Sequence, residues 1–279
     1  MENYTTHIKS QSGLFDVNLK ELWQYRDLVF LFVKRNYSTR YKQTILGPLW
    51  LILNPLITVT LYALVFGNLA GLSTDDSPQF IFYLCSNAIW SYFAICITDT
   101  SNTFTANAAI LGKVYFPRLV MPISAVITGI LDLSIQVIML AVIILLYYFS
   151  GTRIQIGVAL ILAPFVVVQT ALLGLGCGII IAACTTKYRD LAVLVTFGVQ
   201  LWMYASPVVY TTTTIPEAFY GIYMLNPMAP IIVTWRYAIL GTGELPLGFW
   251  GISWFVTGIV LIFGVLLFSR IEKTFMDTV

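Results

Sequence analysis

Polar side chains recur every four residues inside three apolar stretches of this chain, and this spacing is where chemistry could reside. The three series are Asn54, Thr58 and Tyr62, followed by Phe66; Ser124, Thr128, Asp132 and Gln136; and Thr196, Gln200 and Tyr204. A step of four residues places side chains on one face of a helix. Such a face either hydrogen-bonds to neighbouring helices or lines an aqueous path. Packing is the commoner role for a single series, but three series in one chain favour a path formed by some of them.

Asp132 lies near the middle of its apolar stretch. A charge at that depth in a membrane costs about 2.5–3.5 kcal/mol, so the carboxyl group should face the protein interior and have a partner. The sequence shows no Lys or Arg at the same depth, which leaves protonation, nearby hydroxyl groups or a second subunit to satisfy it. A proton-coupled secondary carrier that uses Asp132 is therefore one alternative for the function.

Groups suited to catalysis, nucleotide binding or metal binding are scarce. His7 is the only histidine, and the 4 cysteines lack the spacing of a metal site. The only Gly-Lys pair, Gly112–Lys113, has Asn107 where the first glycine of a P-loop must stand. We expect a chain that is not an enzyme, holds no cofactor or metal and binds no ATP by itself. A membrane-embedded glycosyl- or acyltransferase is a further alternative, disfavoured because no histidine and no cluster of acids lies in the apolar stretches.

The composition is that of a membrane protein. Hydrophobic residues make up 58% of the chain, charged residues 10%, and the mean hydropathy is +0.84, whereas about a quarter of the residues in soluble proteins are charged. An apolar run of about 18 or more residues predicts a transmembrane helix. We predict an all-α membrane protein with six transmembrane helices, at about 45–70, 80–105, 120–149, 155–183, 190–206 and 247–269. Residues 1–42 form a cytoplasmic segment in this prediction, and residues 43–279 form the transmembrane domain.

The basic residues predict the orientation. With six spans and a cytoplasmic N-terminus, all of the 15 Lys and Arg residues except Arg153 and Arg236 fall on one side of the membrane. Cytoplasmic loops carry such an excess of basic residues. Both termini are therefore predicted to be cytoplasmic.

Three further segments have predictable structures. Residues 19–37 have apolar side chains at helical spacing opposite basic ones, which indicates an amphipathic helix on the cytoplasmic membrane surface. The segment between the fifth and sixth spans is apolar but broken by prolines, which favours external re-entrant half-helices over one continuous helix. The glycines of "GLGCG" (residues 174–178) predict close helix packing.

Three motifs resemble one known family. They are "YRDLVFLFVKRNYSTRYKQTILGPLWLILNPL" (residues 25–56), "GKVYFPRLVMPISAV" (residues 112–126) and "YRDL" (residues 188–191). The sequence looks like the permease subunit of bacterial polysaccharide ABC exporters, which carry lipid-linked O-antigen, capsule or teichoic acid polymers. The resemblance covers nearly the whole chain, and the "KVYFPR" form is most similar to the O-antigen branch.

The resemblance implies a homodimer in the bacterial inner membrane with two copies of a separate P-loop ATPase, which would bind ATP and Mg²⁺. It implies that the first and fifth spans line the channel, so that Asn54, Thr58, Tyr62, Phe66, Thr196, Gln200 and Tyr204 become candidate channel residues. The N-terminal helix and the loop between the second and third spans would contact the ATPases, through Lys113, Tyr115, Phe116, Pro117 and Arg118 in the loop. A lipid-pyrophosphate head group would meet Arg35, Arg40 and Lys42.

Overall fold

The structure is a computed structural model that describes residues 19–42, 47–75, 77–107, 110, 113–114, 116–152, 157–185 and 191–275. Its helices are α1 (Leu19–Gln24), α2 (Arg26–Tyr41), α3 (Trp50–Tyr62), α4 (Gln79–Ala106), α5 (Val120–Phe149), α6 (Ala163–Thr185), α7 (Leu191–Tyr204), α8 (Glu217–Met224), α9 (Met228–Leu240) and α10 (Leu247–Phe275). A π-helix (Ala63–Leu69) continues α3, and a 3₁₀-helix (Val158–Leu162) precedes α6. Over these residues the regular structure is entirely helical, as the sequence predicted.

Five segments are long and apolar enough to cross a membrane. They are Trp50–Leu69, Gln79–Ala106, Val120–Phe149, Val158–Thr185 and Leu247–Phe268, and they confirm five of the predicted spans. The other predicted span corresponds to α7, which has 14 residues. These described residues measure about 21 Å at 1.5 Å per residue, and residues 186–190 before them lie outside the described part of the chain. The short helices α8 and α9 follow it, in the segment predicted to form half-helices.

The N-terminal helices divide at Tyr25, where the chain turns between α1 and α2. Val29, Phe32 and Val33 of α2 are buried in a cluster that includes Phe104 of α4 and Phe268 of α10. Other apolar side chains of these helices stay exposed, among them Trp23, Phe30 and Leu31. A helix with one apolar face packed on the protein and further apolar side chains exposed suits the membrane interface.

Helix α4 is the centre of the molecule. It packs against α3, α5, α6, α7 and α9. Of the residues in its apolar 18-residue stretch, 78% are buried inside the bundle. Aromatic side chains such as Phe82, Tyr83, Trp90 and Phe93 fill the space around it. Because lipid is as apolar as these side chains, close packing and not water exclusion must hold the bundle together.

Glycines of α6 bring two neighbouring helices into contact. A Cβ atom at Gly174 or Gly178 would lie 2.5 Å from the Cβ of Cys96 or Thr100 on α4. On another face, a Cβ at Gly176 would lie 3.0 Å from the backbone of Leu261 on α10. The prediction that the "GLGCG" glycines serve helix packing is confirmed.

Adding one methyl group at the contact between α6 and α10 should weaken the bundle. A Cβ at Gly264 of α10 would lie 2.8 Å from the backbone oxygen of Gly176, which cannot move without shifting the helix. We expect Gly264→Ala to destabilise the protein by about 1–3 kcal/mol, the usual cost of overpacking. Thermal unfolding in detergent measures the change, with Gly258→Ala on the same helix as the control, because a Cβ there meets no atom within 4 Å. Equal unfolding temperatures for the two variants would contradict the packing account.

Candidate functional site

Arg40, near the end of α2, joins three helices through its guanidinium group. Its Nη1 donates a hydrogen bond of 2.6 Å to Oδ2 of Asp132 on α5, and its Nη2 donates to Oδ2 of Asp99 on α4. The side chain of Asp132 is only 2% exposed, whereas those of Arg40 and Asp99 are 32% and 31% exposed. The sequence-based expectation that Asp132 lacks a basic partner at its depth was wrong. Arg40 lies outside the predicted spans, but its long side chain reaches the carboxyl group from the helix end.

The group of Arg40, Asp99 and Asp132, here called the ionic triad, carries one positive and two negative charges. A buried carboxylate is tolerated when a cation and hydrogen bonds satisfy it. The ion pair therefore explains how an acid can sit in the apolar stretch of α5. With Arg40 as its partner, neither nearby hydroxyl groups nor a second subunit is needed to satisfy Asp132.

A cavity of about 500 Å³ adjoins the ionic triad. Helices α3, α4 and α5 supply its polar lining, which includes Asn54, Thr58, Asn87 and Gln136. Gln136 is 4% exposed, and within the described part of the chain its Oε1 has no hydrogen-bond partner. The side chain of Gln136 thus contributes to the cavity wall, while its Oε1 is itself buried. Trp50 and Trp90 add aromatic surface.

The first predicted polar series divides between the cavity and the packed interior. Asn54 and Thr58 line the cavity. The hydroxyl of Tyr62 lies 3.3 Å from Sδ of Met203 on α7, and its ring lies 5.9 Å from that of Phe66. The structure therefore brings Asn54 and Thr58 to the cavity, while Tyr62 and Phe66 make contacts within the chain.

The second predicted series also divides. The hydroxyls of Ser124 and Thr128 are buried and donate to carbonyl oxygens of their own helix, at Met121 and Ser124. These two residues serve packing. Asp132 and Gln136, one and two steps further along α5, line the cavity.

The third series lies on an exposed face of α7. Thr196, Gln200 and Tyr204 are all exposed, and so are Phe197 and Leu201 beside them. This face combines hydroxyl, amide and aromatic groups. It is the surface that a partner subunit or a passing molecule could contact.

The loop before α5 is fastened to α2. Phe116 is 5% exposed, and its ring centroid lies 5.7 Å from that of Phe32. Pro117 and Arg118 are partly buried, whereas Lys113 and Val114 are exposed. Tyr115, predicted with them to contact an ATPase, lies outside the described residues. Among the described residues of this loop, Lys113 and Val114 are therefore the exposed ones.

The predicted head-group residues differ in their surroundings. Arg35 donates a 2.6 Å hydrogen bond to Oδ1 of Asn107, and its guanidinium lies 4.6 Å from the centre of the Phe32 ring. Partial burial lowers the pKa of Arg35 from its ordinary value. Arg40 belongs to the ionic triad, and Lys42 is exposed. A head-group role for these three residues stays a prediction, and the two arginines already bind groups of the same chain.

Sequence reasoning missed the residues that hold the end of α7. Arg236 of α9 is 3% exposed and donates hydrogen bonds to the carbonyl oxygens of Pro207 (2.9 Å) and Tyr210 (3.3 Å). Asn226 donates to the carbonyl oxygen of Ala205 and accepts a hydrogen bond from Nε1 of Trp202. A single arginine inside an apolar segment was the available signal, because such a charge requires partners.

Substitutions in the ionic triad should differ in cost according to the ion pairs that each removes. Arg40→Gln breaks the ion pair of the buried Asp132, and removing one partner of a buried pair costs about 3–5 kcal/mol. Asp99→Asn leaves the Arg40–Asp132 pair in place, so the matched control should lose no more than about 1 kcal/mol. Thermal unfolding in detergent gives the ranking, and the double variant R40Q/D132N should lose less than the sum of its single changes. Equal stability of Arg40→Gln and Asp99→Asn would refute this role for the triad.

The chain is similar to several transport permeases. The O-antigen export system permease protein RfbA of Klebsiella pneumoniae is 28% identical over 254 residues, which cover 90% of this chain and 94% of that protein. The protein of the same name from Myxococcus xanthus is 29% identical over 82% of this chain and 85% of its own length. The inner membrane transport permease YadH of Escherichia coli is 26% identical over 69% of this chain and 77% of its own length.

The family match covers the elements that build the site. Residues 27–240 match the ABC-2 type transporter family, from α2 through the ionic triad and the cavity to the end of α9. This match includes all three predicted polar series. The chain is a membrane-embedded member of the ABC-2 type transporter family.

Proposed function

We propose that this chain forms the path through which an ATP-driven exporter moves a lipid-linked, O-antigen-like polysaccharide across the bacterial inner membrane. The observation that carries the proposal is the polar cavity between α3, α4 and α5, lined by Asn54, Thr58 and Gln136 in an otherwise apolar bundle. The names of the similar O-antigen export permeases support the substrate class. Membrane enclosure and a polar interior are what a path for a hydrophilic polymer requires.

The cavity suits hydroxyl groups better than anions. Amide side chains such as Asn54, Asn87 and Gln136 both donate and accept hydrogen bonds. The ionic triad beside them has an excess negative charge, which opposes a phosphate group at this position. Sugar rings, which combine hydroxyls with apolar faces, match amides next to the rings of Trp50 and Trp90.

The proposal includes a six-span topology with both termini in the cytoplasm. In it α7 is the fifth span, of which the structure describes 14 residues. Helices α8 and α9 complete the crossing as half-helices that enter from the external side. Arg236 and Asn226 support this arrangement, because they satisfy backbone carbonyl groups that follow α7 and would otherwise meet lipid.

Two copies of the chain would assemble with two copies of a P-loop ATPase. The exposed face of α7 would meet the second copy or the passing polymer. Lys113 and Val114 would contact the ATPase, since they are the exposed part of the described loop. A displacement of this loop would be transmitted to α2 through the contact between Phe116 and Phe32. The ion pairs of Arg40 would then transmit it from α2 to the helices that line the cavity.

Removing polar groups from the cavity should block export without disrupting assembly. We expect the double variant N54L/T58V to reduce the amount of glycan at the cell surface by at least about tenfold, as lost polar contacts of about 1.4 kcal/mol or more would. The variant should still co-purify with its ATPase and leave basal ATP hydrolysis unchanged. Surface glycan is measured in cells that make the lipid-linked polymer and depend on this permease for its export.

The matched control is Ser134→Ala on α5, whose exposed hydroxyl donates to the carbonyl oxygen of Ile130 on its own helix. It should export like the unaltered chain. Normal export by N54L/T58V would contradict the path, and failure of the unaltered chain to retain any P-loop ATPase would contradict the exporter itself. Export that persists with a hydrolysis-deficient ATPase and stops with a proton ionophore would favour the carrier alternative.

A further inference from the structure

A second concave surface lies between the interfacial helix α2 and the long helix α5. This groove has a volume of about 640 Å³ and an apolar lining that includes Phe30 and Val33 of α2 and Leu131 of α5. Lys34 and Lys42 also line it, and both side chains are exposed. We call it the lysine groove.

The basic residues of this part of α2 fall into two classes. Arg35 and Arg40 bind Asn107 and the two carboxylates of the ionic triad. Lys34 and Lys42 face the lysine groove, and no ion pair joins either of them to an acid among the described residues. The groove therefore combines an apolar floor with two positive charges that remain available to an anion from outside the chain.

The apolar floor continues along the outer surface of α5. Leu131 is followed at helical spacing by Ile138, Val142 and Leu145, and these four side chains are 40%, 64%, 52% and 54% exposed. Steps of seven, four and three residues place them on one face of the helix. In a membrane this face contacts acyl chains, so a lipid tail can lie along it from the groove outwards.

We propose that the lysine groove binds an anionic phospholipid of the cytoplasmic leaflet. Its phosphate group would lie between Lys34 and Lys42, which are eight residues and thus about 12 Å apart along the helix direction. One acyl chain would lie on Phe30 and Leu131 and continue along the exposed face of α5. Basic side chains next to a membrane span attract anionic lipids by about 1 kcal/mol each.

A bilayer phospholipid fits this groove better than the diphosphate of a transported lipid. Leu131, the first residue of the exposed stripe of α5, lines the groove, whereas Asn54, Thr58 and Gln136 line the polar cavity. A phospholipid held there would brace α2 against α5. It would thereby keep Arg40 in position for both of its carboxylate partners.

Lipid retention by the purified full-length chain tests the proposal without an ATPase or a polysaccharide. Native mass spectrometry would count phosphatidylglycerol molecules, with phosphatidylcholine as the zwitterionic comparison. The unaltered chain should retain phosphatidylglycerol at least about tenfold better than phosphatidylcholine. Two lysines that each attract an anionic lipid by about 1 kcal/mol give a ratio of this size after partial screening by salt. The variant K34Q/K42Q should lose most of this preference, and K34R/K42R should keep it.

Arg26→Gln is the matched control, because Arg26 is an exposed basic residue of the same helix that does not line the groove. It should retain phosphatidylglycerol like the unaltered chain. Raising the salt concentration from about 0.05 M to about 0.5 M should weaken retention, as screening requires. Equal binding of the two phospholipids, or undiminished preference in K34Q/K42Q, would overturn the proposal.

Farnesyl diphosphate, a soluble lipid diphosphate, separates the two possible sources of the anion. If the groove holds a bilayer phospholipid, an equimolar amount of farnesyl diphosphate should leave phosphatidylglycerol bound. Displacement at that ratio would assign the groove to a diphosphate lipid and would also overturn the proposal. A failure of the proposed export function would change none of these results, since only lipid binding is measured.

Discussion

A carboxylate inside an apolar bundle needs a partner, and in this protein Arg40 is an ion-pair partner of two carboxylates at once. Asp132 on α5 is almost wholly buried, and Asp99 on α4 is partly exposed. Arg40 reaches both from the end of α2, so α2 cannot move away without breaking the ion pair of a buried carboxylate. This requirement fixes the position of α2 and places a polar cavity beside the ion pairs. Much of the remaining site depends on that arrangement.

The ion pairs also connect the loop before α5 to the cavity. The loop before α5 packs Phe116 against Phe32 of α2. Arg40 then couples α2 to α4 and α5, whose polar side chains line the cavity. At the other side of the bundle, Arg236 and Asn226 hold the backbone that follows α7. These side chains satisfy backbone groups after α7 that a bilayer cannot.

Hydropathy and four-residue spacing predicted much of this structure, because both are properties that a single helix shows in its own sequence. Five spans, the short helices after α7, the packing role of the α6 glycines and the positions of Asn54 and Thr58 at the cavity follow from local patterns. The partner of Asp132 could not be predicted in this way, since Arg40 lies 92 residues away in the sequence. The same limit applies to Arg236, whose partners at Pro207 and Tyr210 depend on how the chain folds back after α7. Periodicity also could not separate Ser124 and Thr128, which bond to their own helix, from Gln136, which faces the cavity.

The central claim is that the polar residues of α3 and α7 border water while the outer stripe of α5 borders lipid. Single cysteines at Thr58 and Gln200, and at Ile138 and Val142 for comparison, would report this directly in a variant whose 4 native cysteines have been replaced. A charged maleimide reacts with a thiolate that water can reach, and lipid excludes it. In the assembled complex within native membranes, we predict labelling at 58 and 200 and none at 138 and 142. Equal protection of all four positions would contradict an aqueous path through this protein.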